Sequence, residues 1–322
     1  MKKIVIIGAG QLGSRHLQSL NLLDFELDIL VVDPNIESLN TAKSRFEATI
    51  SSVRHTIHYS QELVISGDVD VAIIASTAKV RRSIIENLVS QAHVKHLVLE
   101  KLLFNQKDDY QAIGSLIENH QIQTWVNCPM RQMAFYQQLQ PLYHNKPMQL
   151  HVYGSQYGLV TNAIHYLDYV AYLTGDNDFK LNLSHLDKQV VNSKRPGYYE
   201  LTGTLIAEFS NGSIASIHCN KAGGAPIQIE IYNNEHRAIS REWEHAAWVT
   251  GENYDWKWQE VSAEIPFQSV LTANLVKELL LENKCALPDY RTSAHTHLQL
   301  LCPLETFVAE VGFKKEMDFP FT

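Results

Sequence analysis

The chain reads as two domains of different class, an α/β domain on a doubly wound parallel sheet followed by an α+β domain with a largely antiparallel sheet. Three observations predict this. An apolar run, Ile4-Val5-Ile6-Ile7, passes through Gly8-Ala9-Gly10-Gln11-Leu12-Gly13 into a helical pattern in which Leu12, Leu17 and Leu20 share a face. Apolar strands then alternate with helical segments as far as Asn127, and parallel neighbours need such crossovers. From about Leu181 to Ser240 the apolar period moves toward two, as half-buried strands joined by hairpins require.

Taken in order, the spacing predicts strands at 4–7, 29–32, 56–59, 69–75, 96–99 and 124–127. Helices are expected between them at 36–46, 80–88 and 106–119. The boundary falls near Asn127, so that 1–127 forms a dinucleotide-binding domain and 128–322 an α+β domain for substrate binding and oligomerisation. In the second domain a helix is expected over 130–143, a strand over 150–154 and a helix over 161–173. Along that helix Ile164, Leu167 and Val170 or Ala171 face a core, while Thr161, His165, Asp168 and Tyr172 line another side. Strands follow at 201–209, 213–219 and 227–232, the first two joined by the hairpin turn Asn211-Gly212. Helices at 270–281 and 294–309 close the chain.

The glycine turn has the context that gives it chemical meaning. Gly8 makes the turn, Gly10 lets the backbone and the helix N-terminus approach a pyrophosphate, and Gly13 permits close helix–strand packing. The second strand ends in Asp33, 20 residues beyond Gly13, where a carboxylate accepts hydrogen bonds from an adenosine ribose. Ligands of such sheets lie beyond the carboxyl ends of the strands, which makes Gly8, Gly10, Gln11, Leu12, Gly13, Asp33, Ser76, Thr77, Glu100 and Lys101 candidate cofactor contacts. The cofactor expected is NAD rather than NADP, because Asp33 repels a 2'-phosphate and neither Pro34 nor Asn35 supplies a cation.

Composition narrows the function further. Among 322 residues, 45% are hydrophobic and 19% charged, ordinary values for a water-soluble chain. A formal net charge of -8 offers no broad positive surface, so nucleic acid is not an expected partner. Cys128, Cys219, Cys285 and Cys302 are widely spaced and form no metal-ligand pattern; reduced thiols in a cytoplasmic protein are expected. No apolar stretch has the length of a bilayer span. The chain opens on the strand that the fingerprint requires, which leaves no room for a cleaved export segment.

The whole chain resembles the glucose-fructose oxidoreductase, inositol dehydrogenase and rhizopine-catabolism (Gfo/Idh/MocA) superfamily of NAD(P)-dependent enzymes. The matching pieces are Gly8-x-Gly10-x-x-Gly13-x-x-His16, the strand-end pair Glu100-Lys101, the helix with His165 and Asp168, and Ala286-Leu287-Pro288-Asp289 leading into a helix. The resemblance implies a Rossmann domain, an α+β domain whose large sheet serves oligomer contacts, and oxidation of a sugar or cyclitol hydroxyl or reduction of the ketone. It implies that Lys101 positions nicotinamide and substrate and that His165 is the acid/base, whose near-neutral pKa suits removal of a hydroxyl proton as hydride leaves the same carbon. In these relatives a proline follows the lysine, where this chain has Leu102, and a catalytic aspartate precedes the histidine by four residues, where it has Thr161. A threonine can hydrogen-bond a sugar hydroxyl but brings no charge to the histidine. Lys79 and Arg82 stand where many members have Asn and His.

The residues alone leave alternatives open. His165 is an acid/base or a satisfied interfacial histidine, and Asp168 orients it or braces the helix. Arg131 faces substrate or forms a salt bridge at a helix start. Glu100, Arg131, Thr161 and Asp168 are therefore the supporting candidates beside Lys101 and His165. The cluster Trp243, Trp248, Tyr254, Trp256 and Trp258 is core or subunit contact before it is a sugar platform. No metal is expected. The leading expectation is an NAD-dependent oxidoreductase acting on a sugar, sugar derivative or cyclitol, in a homo-oligomer that is a dimer or larger. Its alternative is a catalytically weak or inactive nucleotide-binding protein with a sensing or assembly role.

Overall fold

A computed structural model describes residues 1–314 and 316–322. The chain divides into two compact units, Met1–Asn127 with Pro266–Arg291, and Cys128–Ile265 with Thr292–Thr322. The sequence pattern gives no sign that 266–291 returns to the first unit. The reason is physical: an apolar stripe says that a helix covers something, not which sheet it covers.

In the first unit, β1 (Lys2–Ile7), α1 (Gln11–Leu20), β2 (Leu27–Val32), α2 (Ile36–Glu47), β3 (Thr56–Ser60), β4 (Val69–Ile74), α3 (Ala78–Gln91), β5 (Val94–Leu99), α4 (Lys107–Asn119) and β6 (Gln123–Val126) follow one another. Their sheet has the order β3-β2-β1-β4-β5-β6 and all pairings are parallel, the doubly wound arrangement that reverses direction between β1 and β4. Central β1 sits between β2 and β4, and Ile4, Val5 and Ile6 are completely buried, which is why this strand is a continuous apolar run rather than an alternating one.

The last layer of this unit comes from much later in the chain. α7, here numbered for its place after α5 (Ala134–Tyr143) and α6 (Leu159–Thr174), spans Gln268–Glu282. Its Leu275, Val276 and Leu279 join Leu17, Leu20 and Leu27 in the core of the first unit. The segment after α7 also adds to the edge of the sheet: the Val126 N–H donates to the Pro288 carbonyl at 3.0 Å.

The second unit holds α5, β7 (Gln149–Ser155), α6, β8 (Phe179–Asn182), the short ladder β9 (Val191–Asn192) and β10 (Tyr199–Glu200), then β11 (Gly203–Phe209), β12 (Ile214–Asn220), β13 (Gln228–Tyr232), β14 (His236–Arg241), β15 (Ala246–Gly251) and β16 (Gln259–Ser262). The final helix, α8, is Tyr290–Glu310. The large sheet runs β16-β15-β14-β13-β7-β12-β11-β8 and is antiparallel except for β7 with β12. One face is apolar and covered: Leu150, Val152, Leu205, Ala215, Ile217 and Ile229 are fully buried. The opposite residues, among them His151, Thr204, Ser216, His218 and Tyr232, are half-buried.

Within the expected helix over 130–143, the chain instead makes a 3-10 turn at Pro129–Gln132 before α5 begins at Ala134. Proline at the first position suits a turn start, and this turn delivers Arg131. Among the described residues no helix is long and apolar enough to cross a membrane. A test of the returning layer follows: Leu275→Ala should cost about 2–5 kcal/mol by opening a cavity against α1, read from urea denaturation, and a loss below 1 kcal/mol would mean that α7 is not part of this core.

Candidate functional site

The glycine turn of the first unit shows why its residues must be what they are. Gly8 has φ +97°, and a Cβ there would stand 2.8 Å from the Ala75 carbonyl carbon and the Ser76 nitrogen. A Cβ on Gly13 would lie 1.7 Å from the Gly8 carbonyl oxygen, whereas one on Gly10 would meet nothing within 4 Å. The first and third glycines thus serve packing, and the second leaves an open approach to the start of α1, which carries no side-chain cap. Such an N-terminus presents N–H groups and a positive dipole end to an anion.

Asp33 is drawn into this turn. The Ala9 N–H donates to its Oδ2 at 2.7 Å and the Asn35 N–H to its Oδ1 at 2.8 Å, so its position is set while each oxygen keeps a lone pair to accept a ribose hydroxyl. Across the β1–β4 switch, Ser76 Oγ is buried with no hydrogen-bond partner among the described residues. An orphaned hydroxyl, an uncapped helix start and a carboxylate at the end of β2 are what a dinucleotide requires, and the residues present fit one. Thr77 is exposed beside them.

One cation here escapes a search confined to the residues after Asp33. Arg45, near the end of α2, donates to Gln11 Oε1 at 2.8 Å and to Ser14 Oγ at 2.5 Å. The contact is tertiary, made by α2 lying along α1, and no local pattern announces it. Lys79 is exposed, and Arg82 is engaged by Glu86 at 2.8 Å and Asp109 at 2.9 Å.

Glu100 and Lys101 follow β5 but do different things. Glu100 turns inward: His16 Nε2 lies 2.9 Å from its Oε1, and the Asn127 amide donates to the same oxygen at 2.6 Å. The network continues through Gln268, which accepts from Asn127 at 2.9 Å, and Thr272, 2.8 Å from His16 Nδ1. Burial works against the Glu100 charge, but His16, Asn127 and the Lys101 ammonium together hold its carboxyl below the ordinary value. Lys101 itself is half-buried at the strand end, and its peptide bond to Leu102 is cis.

In the second unit, α6 carries the remaining candidates. Ile164, Leu167 and Val170 are fully buried, as their spacing predicts. Thr161 and His165 are half-buried on another side. Asp168, placed by its spacing beside them, is buried, and Arg131 grips it as a fork, Nε to Oδ2 at 2.8 Å and Nη2 to Oδ1 at 2.7 Å. Burial pushes the Asp168 carboxyl up and disfavours the guanidinium too, yet Asp168 raises Arg131 above its ordinary value, and the bidentate geometry sustains both charges. Arg131 also lies over the Tyr172 ring, 5.2 Å from its centroid.

The residue that no motif indicates is Glu200. This carboxylate on β10 accepts the Val160 N–H at 2.8 Å and the Thr161 N–H at 3.0 Å, and the Thr161 hydroxyl donates to it as well. It lies in a short, irregular stretch with neither helical nor strand periodicity, so its role is visible only in three dimensions.

Fold and turn together define a Rossmann-type domain in the first unit. Residues 2–128 match the family model described as the oxidoreductase family with an NAD-binding Rossmann fold. That match covers the first domain, which is thereby similar to the NAD-binding domain of Gfo/Idh/MocA oxidoreductases. Among solved structures, an oxidoreductase from Agrobacterium radiobacter in complex with NAD+, L-tartaric acid and magnesium is similar with a TM-score of 0.74 at 17% identity, over 97% of each chain. A UDP-N-acetylglucosamine 3-dehydrogenase from Acidithiobacillus ferrooxidans is similar with a TM-score of 0.69 at 12% identity, over 96% of this chain and 99% of its own. A scyllo-inositol dehydrogenase from Lactobacillus casei with bound NAD(H) and scyllo-inositol gives 0.66 at 16% identity, over 97% and 100%. At these identities the likeness is one of fold. A comparison with curated protein sequences gives no significant match.

The Arg131–Asp168 pair can be tested directly. Arg131→Ala strands a buried carboxylate and should cost about 3–5 kcal/mol in chemical denaturation, while Arg131→Met with Asp168→Leu should recover most of that loss. An Arg131→Ala protein as stable as the parent would show that the pair is not a structural anchor.

Proposed function

We propose that the protein is an oxidoreductase that uses NAD in preference to NADP to move hydride to or from a sugar, sugar derivative or cyclitol. The observation that carries the reading is Asp33 held against the fingerprint turn, in a domain matching an NAD-binding oxidoreductase family. The substrate class is supported by fold relatives that act on a nucleotide sugar or on scyllo-inositol. Bound coenzyme would supply a hydride donor or acceptor. Gly8, Gly10, Gln11, Leu12, Gly13, Asp33, Ser76 and Thr77 would hold it, Glu100 acting from behind by fixing the strand end.

The chemistry on the protein's side is proton management. Lys101 holds the reacting hydroxyl and balances the alkoxide charge that develops as its C–H bond breaks, and His165 accepts the hydroxyl proton. Thr161 orients substrate. Arg131 and Asp168 brace α6 rather than bind substrate, since each satisfies the other. The half-buried face of the large sheet is proposed as the contact of a homo-oligomer, dimer or larger, because an antiparallel sheet covered on one side leaves the other for solvent or a partner.

Calorimetric titration should show tighter binding of NAD than of NADP, and equal or tighter NADP binding would sink the coenzyme assignment. With a substrate found by screening polyols, aldoses and nucleotide sugars, His165→Ala should lower turnover by about a hundredfold or more while leaving coenzyme affinity nearly unchanged. Tight NAD binding without turnover of any carbohydrate would favour the non-catalytic alternative.

A further inference from the structure

We propose that Glu200 is a positioning residue for His165: a buried carboxylate that, anchored at Thr161, sets a negative charge about one helical turn from the imidazole and raises its basicity. The inference rests on the reading of His165 as the acid/base. It begins with an excess of commitment at the start of α6. Helix N-termini are ordinarily capped by a neighbouring Ser, Thr, Asp or Asn. Here the N-cap is Gly158, without a side chain, and a carboxylate 39 residues from Thr161 is brought in by β10 and buried to 6% exposure. The chain also makes room for it. Gly158 has φ +84°, and a Cβ there would press to 3.0 Å from Glu200 Oε1.

The surroundings define the charge of this group. Burial raises the Glu200 carboxyl above its ordinary value, and the Thr161 hydroxyl and the Val160 and Thr161 N–H groups offset part of that rise. The groups aimed at its oxygens are donors, which satisfy a carboxylate and leave an acid proton poorly placed. Thr161 Oγ1 also lies 3.0 Å from an oxygen of Thr322, and Glu200 is the nearer of its two acceptors.

Residues four apart on a helix share a face, so the Glu200–Thr161 unit and His165 are neighbours along α6. Other titratable groups on the elements around α6 do not duplicate the effect. Asp168 is neutralised by Arg131, while Tyr136 of α5, Tyr157 before α6 and Tyr166 on it are held in their uncharged form by burial, as is the Cys219 thiol of β12. Glu242, buried and accepting from the Tyr136 hydroxyl at 2.5 Å, is a second carboxyl here without a cation, and burial pushes it up; Glu200 is the one bound to the first turn of α6, and it compensates for the uncharged Thr161 from another part of the chain.

The test is an NMR titration of His165 in the full-length protein, with its signal assigned by loss in His165→Ala. The parent imidazole should titrate above the ordinary value of about 6.5, and Glu200→Gln should lower it by about one pH unit. Adding Thr161→Asp to Glu200→Gln should restore it. A shift under about 0.2 pH units in Glu200→Gln, accompanied only by a lower melting temperature, would reduce Glu200 to a helix cap and overturn the proposal. If Glu200→Gln does not fold, the parent value decides: titration at or below the ordinary value overturns the proposal, and titration above it, reversed toward normal in Glu200→Asp, upholds it. No substrate is needed, so a protein that turns over no carbohydrate would defeat the oxidoreductase reading and leave this result standing.

Discussion

The buried carboxylate of Glu100 ties together four parts of the first unit that are remote in sequence. It ends β5, meets His16 from α1 and Asn127 from the end of β6, and through Asn127 reaches Gln268 of α7. A charge inside a protein survives only if its oxygens are met by donors, and here the donors come from the elements that must be registered if the turn after β1 and the strand end carrying Lys101 are to keep their places. The network converts a solvation requirement into a positional one. It also explains why Glu100 and Lys101, adjacent in sequence, part company: the strand's alternation sends one side chain inward and leaves the next at the sheet's end.

The second unit repeats this device with other residues. Asp168 is locked by the Arg131 fork, and Glu200 is locked by the first turn of α6. Both fix the same helix, one near its middle and one at its start, so the half-buried Thr161 and His165 lie on a segment held at two points. Such double fixation is what the acid/base role proposed for His165 would require.

The legibility of the sequence follows from which forces are local. The strand–turn–helix around Gly8 was readable because its constraints are covalent and steric: Gly13 is excluded from having a side chain by a carbonyl five residues earlier, and such short-range demands leave a fixed spacing. The apolar face of α6 was readable for the same reason, with Ile164, Leu167 and Val170 recurring at helical intervals. The strands β8, β14, β15 and β16 are not individually legible in the sequence; the edge strands Phe179–Asn182 and Gln259–Ser262 are four residues long and polar at half or more of their positions. The return of α7 to the first sheet, the parallel pairing of β7 with β12, and the carboxylate of Glu200 depend on partners tens to hundreds of residues away, and periodicity carries no address.

Arg45 brings a positive charge to the glycine turn through a tertiary contact. Its guanidinium is engaged by Gln11 and Ser14 at the start of α1, the end of the helix where a diphosphate binds in this fold. NAD and NADP share that diphosphate, so a cation here strengthens both. They differ at the adenosine 2'-position, which in this fold is met by the acidic residue at the end of β2. That residue, Asp33, is fixed by the Ala9 and Asn35 N–H groups rather than by an arginine, and so keeps its charge uncompensated by a side-chain cation in direct contact among the described residues. The proposed discrimination against a 2'-phosphate is therefore compatible with a nearby arginine, because the two charges would act on different parts of the coenzyme.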